Sequence, residues 1–173
     1  MILKFISVSL LCSLLLGASG CAGPAGGGAR TIDPALQPHE DAAEFEQLIQ
    51  QARDRVNAHR ASLGLARLTL DNRISRVARR HSASMAQGGA FSHRGFKQRA
   101  TAIGRFMPYR TESENQTYNY GDSDPAARAF TSWLASPKHR QTMENPRFTH
   151  TGLVVAKSPS GRFYFTQLFV LPR

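Results

Sequence analysis

The run from Arg162 to Leu171 constrains the fold more than any other stretch. Its alternating positions put Phe163, Phe165 and Phe169 on one side and Tyr164, Leu168 and Val170 on the other. A strand that is apolar on both sides must be buried on both, so it predicts helices covering each face of a sheet. Thr151 to Ala156 is a second β-branched, apolar run. With Ser158-Pro159-Ser160-Gly161 as the turn between them, the two runs read as an antiparallel hairpin.

Helices to build both layers can be found upstream. From His39 to Leu63, the residues Phe45, Leu48, Ile49, Ala52, Val56 and Leu63 recur at three- and four-residue steps, and Gly64 suits a C-terminal cap. Asp71 is a good N-cap for a second helix with Ile74, Val77, Ala78, His81 and Met85 as its inner stripe; Gly88-Gly89 stops it. A shorter helical stretch covers Phe96 to Ile103, and Gly104 to Gly121 is polar, aromatic and without period, with room for a strand or two. Asp124-Pro125 then opens a helix carrying Ala126, Phe130, Trp133 and Leu134 inward, and Ser136-Pro137 ends it. The expected fold is α+β, a three-layer α/β/α sandwich with a mainly antiparallel central sheet.

At the other end of the chain, Lys4 precedes an apolar run from Phe5 to Leu16. That is the charge-then-apolar order of an export signal, and it is shorter than the roughly 20 residues a membrane-spanning helix needs. The junction Leu16-Gly17-Ala18-Ser19-Gly20-Cys21 resembles a bacterial lipobox, with Ala18 standing where Leu is usual. Residues 1–20 are therefore expected to be a lipoprotein-type signal, with Cys21 lipidated; a plain secretory cut after Gly20 is the alternative. Residues 21–38, rich in Gly, Ala and Pro, read as a flexible tether, and residues 39–173 as one globular domain. Of the two cysteines, Cys12 would leave with the signal, so no internal disulfide is expected.

The formal net charge of +10 becomes +9 once Lys4 is removed. For an exported chain, the polyanions within reach are lipid head groups and envelope polymers; nucleic acid is not expected. Arg73, Arg76, Arg79 and Arg80 fall near one side of the second helix, followed by Arg94, Lys97 and Arg99. This series reads either as a solvated face or as a surface that docks electrostatically on an anionic envelope.

Three side chains with ligand chemistry sit where the chain turns irregular: His93, Glu114 and His139. Two imidazoles and a carboxylate suffice for an open zinc site, although spacing alone leaves each of them equally readable as a loop side chain. There is no Gly-x-Ser-x-Gly elbow, no His-Glu-x-x-His helix and no cysteine nucleophile in the mature chain. Ser92 and His93, as neighbours, point to opposite sides of an extended segment and make no dyad. Trp133 and His81, at helical spacing with apolar residues, read as core.

An ordered series of short motifs goes further. Phe91-Ser92-His93, Glu114-Asn115, Trp133-Leu134-Ala135-Ser136-Pro137-Lys138-His139-Arg140, Asn145-Pro146, Gly152-Leu153-Val154-Val155 and Phe165-Thr166-Gln167 together resemble the bacterial branch of the CAP superfamily, over roughly residues 45–171. The resemblance implies an α/β/α sandwich with a cleft lined by His93, Glu114 and His139. Where the eukaryotic pattern carries a further histidine and glutamate, this chain has Tyr164 and Ser136, so three strong ligands are implied in place of four. Asn115 and Gln167 are expected to support the cleft by hydrogen bonds, with Ser136 and Tyr164 beside them.

Three functions are then open. The first is a cleft that binds an unknown small or extended ligand, with zinc or another divalent metal at His93, Glu114 and His139. The second is a zinc-dependent hydrolase using the same residues, and the third a non-catalytic interaction module of the envelope. The expected location is the periplasmic or outer cell surface, anchored to membrane through Cys21, or the medium if the chain is simply secreted.

Overall fold

The structure, a computed structural model, describes residues 39–173; the expected signal, tether and lipidated Cys21 lie outside the described residues. Nine elements follow in chain order: α1 (His39–Ser62), β1 (Thr69–Leu70), α2 (Asn72–Ala86), α3 (Phe96–Gly104), β2 (Tyr109–Asn119), α4 (Pro125–Ala135), α5 (Pro137–Met143), β3 (His150–Lys157) and β4 (Phe163–Pro172). The sheet order is β1-β3-β4-β2. β3 and β2 flank β4 and run antiparallel to it, and only the two-residue β1 pairs in parallel, with β3.

β4 occupies the position its composition demands, with every residue from Phe163 to Val170 buried. Phe163, Phe165 and Phe169 pack against Leu48, Ala52 and Val56 of α1 and Ala126, Ala129 and Trp133 of α4. On the opposite face Leu168 and Val170 meet Ile74 and Ala78 of α2 and Ile103 of α3, while Tyr164 meets Met85 and Ala86. Trp133 is fully buried, edge-on to Phe165 with ring centres 6.4 Å apart, which makes it core.

The helix boundaries follow from local chemistry. Gly64 adopts φ 71° just past α1, where a side chain would be strained. Asp71 accepts the Arg73 amide at 2.8 Å to cap α2, and Asp124 accepts the Ala127 amide at 2.8 Å to cap α4. Ser136-Pro137 does end α4, but it also starts α5, a helix the sequence reading did not anticipate. Proline explains both events, because its missing N–H is costly inside a helix and free of cost at the first position.

The polar, aperiodic segment read as having room for a strand or two holds one long strand. β2 pairs with β4 from Thr111 opposite Leu171 to Asn119 opposite Phe163, with a register shift between Tyr109 and Thr111. It lacked an apolar alternation because Glu114 and Gln116 on one face and Asn115 and Asn119 on the other are buried polar groups.

Two polar contacts tie the layers. Arg60, fully buried in α1, donates to the carbonyls of Ala66 (2.8 Å), Met143 (2.6 Å), Asn145 (3.0 Å) and Phe148 (3.1 Å), pinning the loop after α5. Burial holds its guanidinium below the ordinary arginine value. Gly152 lets α2 lie directly on β3, since a Cβ there would fall on the backbone of Ile74 and Ser75. On its far side β3 pairs with β1 only at His150 and Thr151, and the Leu153 amide is taken by Ser75 Oγ at 3.1 Å.

Candidate functional site

The site is assembled by three elements around the edge strand. The loop before α3 carries His93, β2 carries Glu114, and α5 carries His139. His93 Nδ1 donates to Glu114 Oε1 at 2.9 Å, and the His93 and His139 rings stand 6.5 Å apart, centre to centre, at 54°. His93 is thus bonded to Glu114 and faces His139. The bond at Nδ1 fixes the His93 tautomer and leaves Nε2 directed away from the carboxylate. The His93 side chain is 55% exposed, whereas that of Glu114 is 1% exposed.

Glu114 is held mainly by a residue not expected at the site. Arg99, from the buried side of α3, donates Nε to Oε2 and Nη2 to Oε1, each at 2.7 Å. This two-bond fork is the strongest arrangement of a guanidinium and a carboxylate. Gln116, two residues along the same face of β2, adds Nε2 to Oε1 at 2.6 Å. Arg99 is further fixed by its Nη1, which donates to the Arg94 carbonyl at 3.0 Å.

His81 also needs correcting, because it is half-buried and belongs to the polar site instead of the apolar stripe. Its Nε2 lies 2.8 Å from the Ser92 carbonyl, tying α2 to the loop that presents His93, and 2.9 Å from the Gln116 amide. Desolvation, then the Arg99 charge, hold its imidazole below the usual histidine value. His139 is held below the usual histidine value by burial first and by the neighbouring His93 second.

The expected supporting residues divide. Asn115, fully buried on the opposite face of β2 from Glu114, donates Nδ2 to the His139 carbonyl at 2.9 Å. One strand thus holds the carboxylate on one side and anchors the histidine helix on the other, as the two-residue side-chain period allows. Ser136 acts through its backbone, as the joint between α4 and α5, with no side-chain cap bond. Gln167 is not at the cleft: it shares the face of Asn115 and donates to Thr151 Oγ1 at 3.0 Å within the sheet. Tyr164 lies on the Glu114 face but is paired with Tyr118, four residues along β2, and stacks on it at 5.7 Å. Tyr118 in turn meets Phe91 edge-on at 5.0 Å, and both are exposed, so this face of β2 has a polar end and an aromatic end.

As a metal shell the three residues are incomplete. Glu114 Oε1 already accepts three donors, Oε2 accepts Arg99, and a guanidinium at 2.7 Å opposes a second cation on the same carboxylate. Among the described residues no group of three or more His, Cys, Asp or Glu side chains is disposed to hold a metal ion. Only the imidazole pair remains open to one.

Fold and site together define a class of three-layer domain that presents two histidines and an edge-strand glutamate on one rim. A match to the CAP family, described as the cysteine-rich secretory protein family, runs over residues 53–169, and the chain belongs to that family. It is 33% identical over 125 residues to the uncharacterized membrane protein YlbC of Bacillus subtilis, covering 70% of this chain and 34% of that one. An SCP-domain extracellular protein of Bacillus anthracis superposes with TM-score 0.66 at 25% identity, covering 78% of this chain and 44% of the other. An outer surface protein of Borrelia burgdorferi shares the fold, with TM-score 0.62 at 18% identity and coverage of 80% and 97%. The chain thus spans about a third of YlbC's length and less than half of that of a second Bacillus subtilis relative, the uncharacterized protein YkwD. No helix among the described residues is long and apolar enough to cross a membrane.

Proposed function

We propose that the protein is an exported, membrane-anchored ligand-binding domain whose cleft runs from His93 and His139 to Phe91 and Tyr118. The observation that carries this reading is the commitment of Glu114 to Arg99, which makes the glutamate a rigid support for His93. A zinc hydrolase would need that carboxylate as a ligand or proton carrier. Binding needs only what is exposed: imidazole groups to hydrogen-bond a polar part and two aromatic rings to stack on an apolar or sugar face. Export fits the charged and apolar start of the sequence, the lipobox-like Cys21 and relatives described as membrane, extracellular or outer-surface proteins.

The test is a pair of titrations of the full chain, followed by NMR of the histidine and tyrosine side chains: one with zinc alone, one with soluble peptidoglycan fragments. Saturable shifts at His93, His139 and Tyr118 with the fragments, lost in His93→Ala and Tyr118→Ala, are expected. Tight one-to-one zinc binding abolished by His93→Ala/His139→Ala would overturn the metal-free reading and favour the hydrolase. Silence toward both probes by folded protein would sink the cleft and leave the interaction module.

A further inference from the structure

The seven basic residues of α2 and the following segment do not form one patch. Arg73 folds back on Asp71 at 2.7 Å, with its guanidinium 5.1 Å from the centre of the Phe106 ring. Arg79 lines a different, apolar hollow between α1 and α2, beside Phe45 and Ile49. Arg76, Arg80, Arg94 and Arg99 instead converge with His81 and Gln98 on a groove of about 490 Å³ between α2 and α3. No aspartate or glutamate lines it.

Of these four arginines only Arg99 is paired, with Glu114 behind the groove. Arg76, Arg80 and Arg94 are exposed and make no ion pair among the described residues. Like charges gathered in one hollow repel one another, and an anion that meets two or three forks at once removes that repulsion while gaining charge-assisted bonds. Arg76 and Arg80 are one helical turn apart, so their stems rise from α2 about 6 Å apart along the groove. That spacing suits two forks closing on one tetrahedral anion or on a linked pair. The start of α3 adds to the same field: its N-cap Gly95, at φ 78°, offers no side-chain cap and lies beside Arg94.

We propose that the groove between α2 and α3 is a second binding site, separate from the His93 cleft, that takes a phosphate-bearing ligand on Arg76, Arg80 and Arg94. Arg99 forms the wall between the two sites, its fork turned toward Glu114. The phosphate could belong to a soluble compound or to a lipid head group, and the chemistry of capture is the same.

The test titrates the full chain with sodium pyrophosphate by calorimetry and, separately, measures cosedimentation with phosphatidylglycerol vesicles, using phosphatidylcholine vesicles as reference. Three proteins are compared: wild type, Arg76→Glu/Arg80→Glu, and Arg79→Glu/Lys97→Glu, which changes the net charge equally outside the groove. Folding is checked by thermal unfolding, and all substituted positions are exposed. Expected is a loss of about tenfold or more in the groove variant, with at most about a threefold loss in the control, as removal of two charge-assisted bonds implies. Pyrophosphate binding without vesicle binding assigns a soluble ligand; selective vesicle binding assigns the head group. Equal losses in both variants would reduce the effect to net charge and overturn the site, as would no binding of either probe by the wild type.

Discussion

Glu114 shows how strongly one residue's role depends on its partner. Its side chain is 1% exposed, and Arg99, 8% exposed, supplies the charge that makes such burial tolerable. Removing the arginine strands a buried carboxylate, so Arg99→Met is expected to cost about 3–5 kcal/mol in urea unfolding. Arg99→Met/Glu114→Gln should recover much of that loss, since it removes the stranded charge; a double variant as unstable as the single one would mean that packing, not charge, dominates. The histidines give a second prediction. In the folded chain His81 and His139 are both held below the usual histidine value of about 6.5. As pH falls through that value the unfolded chain therefore binds protons before the folded one, and stability declines with acidification. Urea midpoints from about pH 7 to about pH 5 should fall in wild type and fall less steeply in His139→Gln. His93, Glu114 and His139 could be picked out because irregular segments and a family resemblance marked them. Arg99 was visible only as one more basic residue, although its place on the buried stripe of α3 with Ala100 and Ile103 was the available signal. His81 misled for the opposite reason, because its spacing matches the apolar stripe of α2 while its ring turns to a polar network.

At the scale of elements, the two-sided apolarity of β4 made the three layers legible, and the capping residues Asp71, Asp124 and Gly64 marked where helices start and stop. β1 and α5 were not legible. A strand of two residues has no period to detect, and α5 begins at the proline that ends its predecessor. β2 was legible only as room for a strand, without bounds, because its inward positions serve the site and the α5 anchor instead of the core. Two substitutions test this layer of organisation. Gly152→Ala should destabilise the domain by about 1–3 kcal/mol, because it overpacks the α2–β3 contact; an unchanged urea midpoint would show that α2 can move away without loss. Asn115→Ala should leave the fold intact while α5 amides exchange faster with solvent, since the bond to the His139 carbonyl is gone. Equal exchange in both proteins would assign the positioning of His139 to other contacts.

For the whole molecule, the sequence reading of a domain behind a lipid-bearing tether makes a prediction that needs no knowledge of the ligand. Cys21→Ser should shift the protein from the membrane pellet to the soluble fraction of cells, with the domain still folded. A variant that stays in the pellet would indicate a retained signal helix or capture by another envelope component. The +9 charge expected for a chain cleaved at Cys21 gives that experiment a useful control, because purely electrostatic retention is released by salt and lipid anchoring is not.

The short pairing of β1 has a consequence beyond the site. From Gly152 to Lys157, β3 has no strand beside it on that margin among the described residues, and such a row of backbone groups is a template on which another chain can polymerise. α1 and α2 stand on either side of that margin, and the hollow between them, lined by Phe45, Ile49 and Ala83, opens beside Val155 and Ala156. A cut or mutation that peels the first turns of α1 away is expected to widen that opening, and fibre formation followed by thioflavin fluorescence should then rise; an unchanged signal would mean that the margin plays no part.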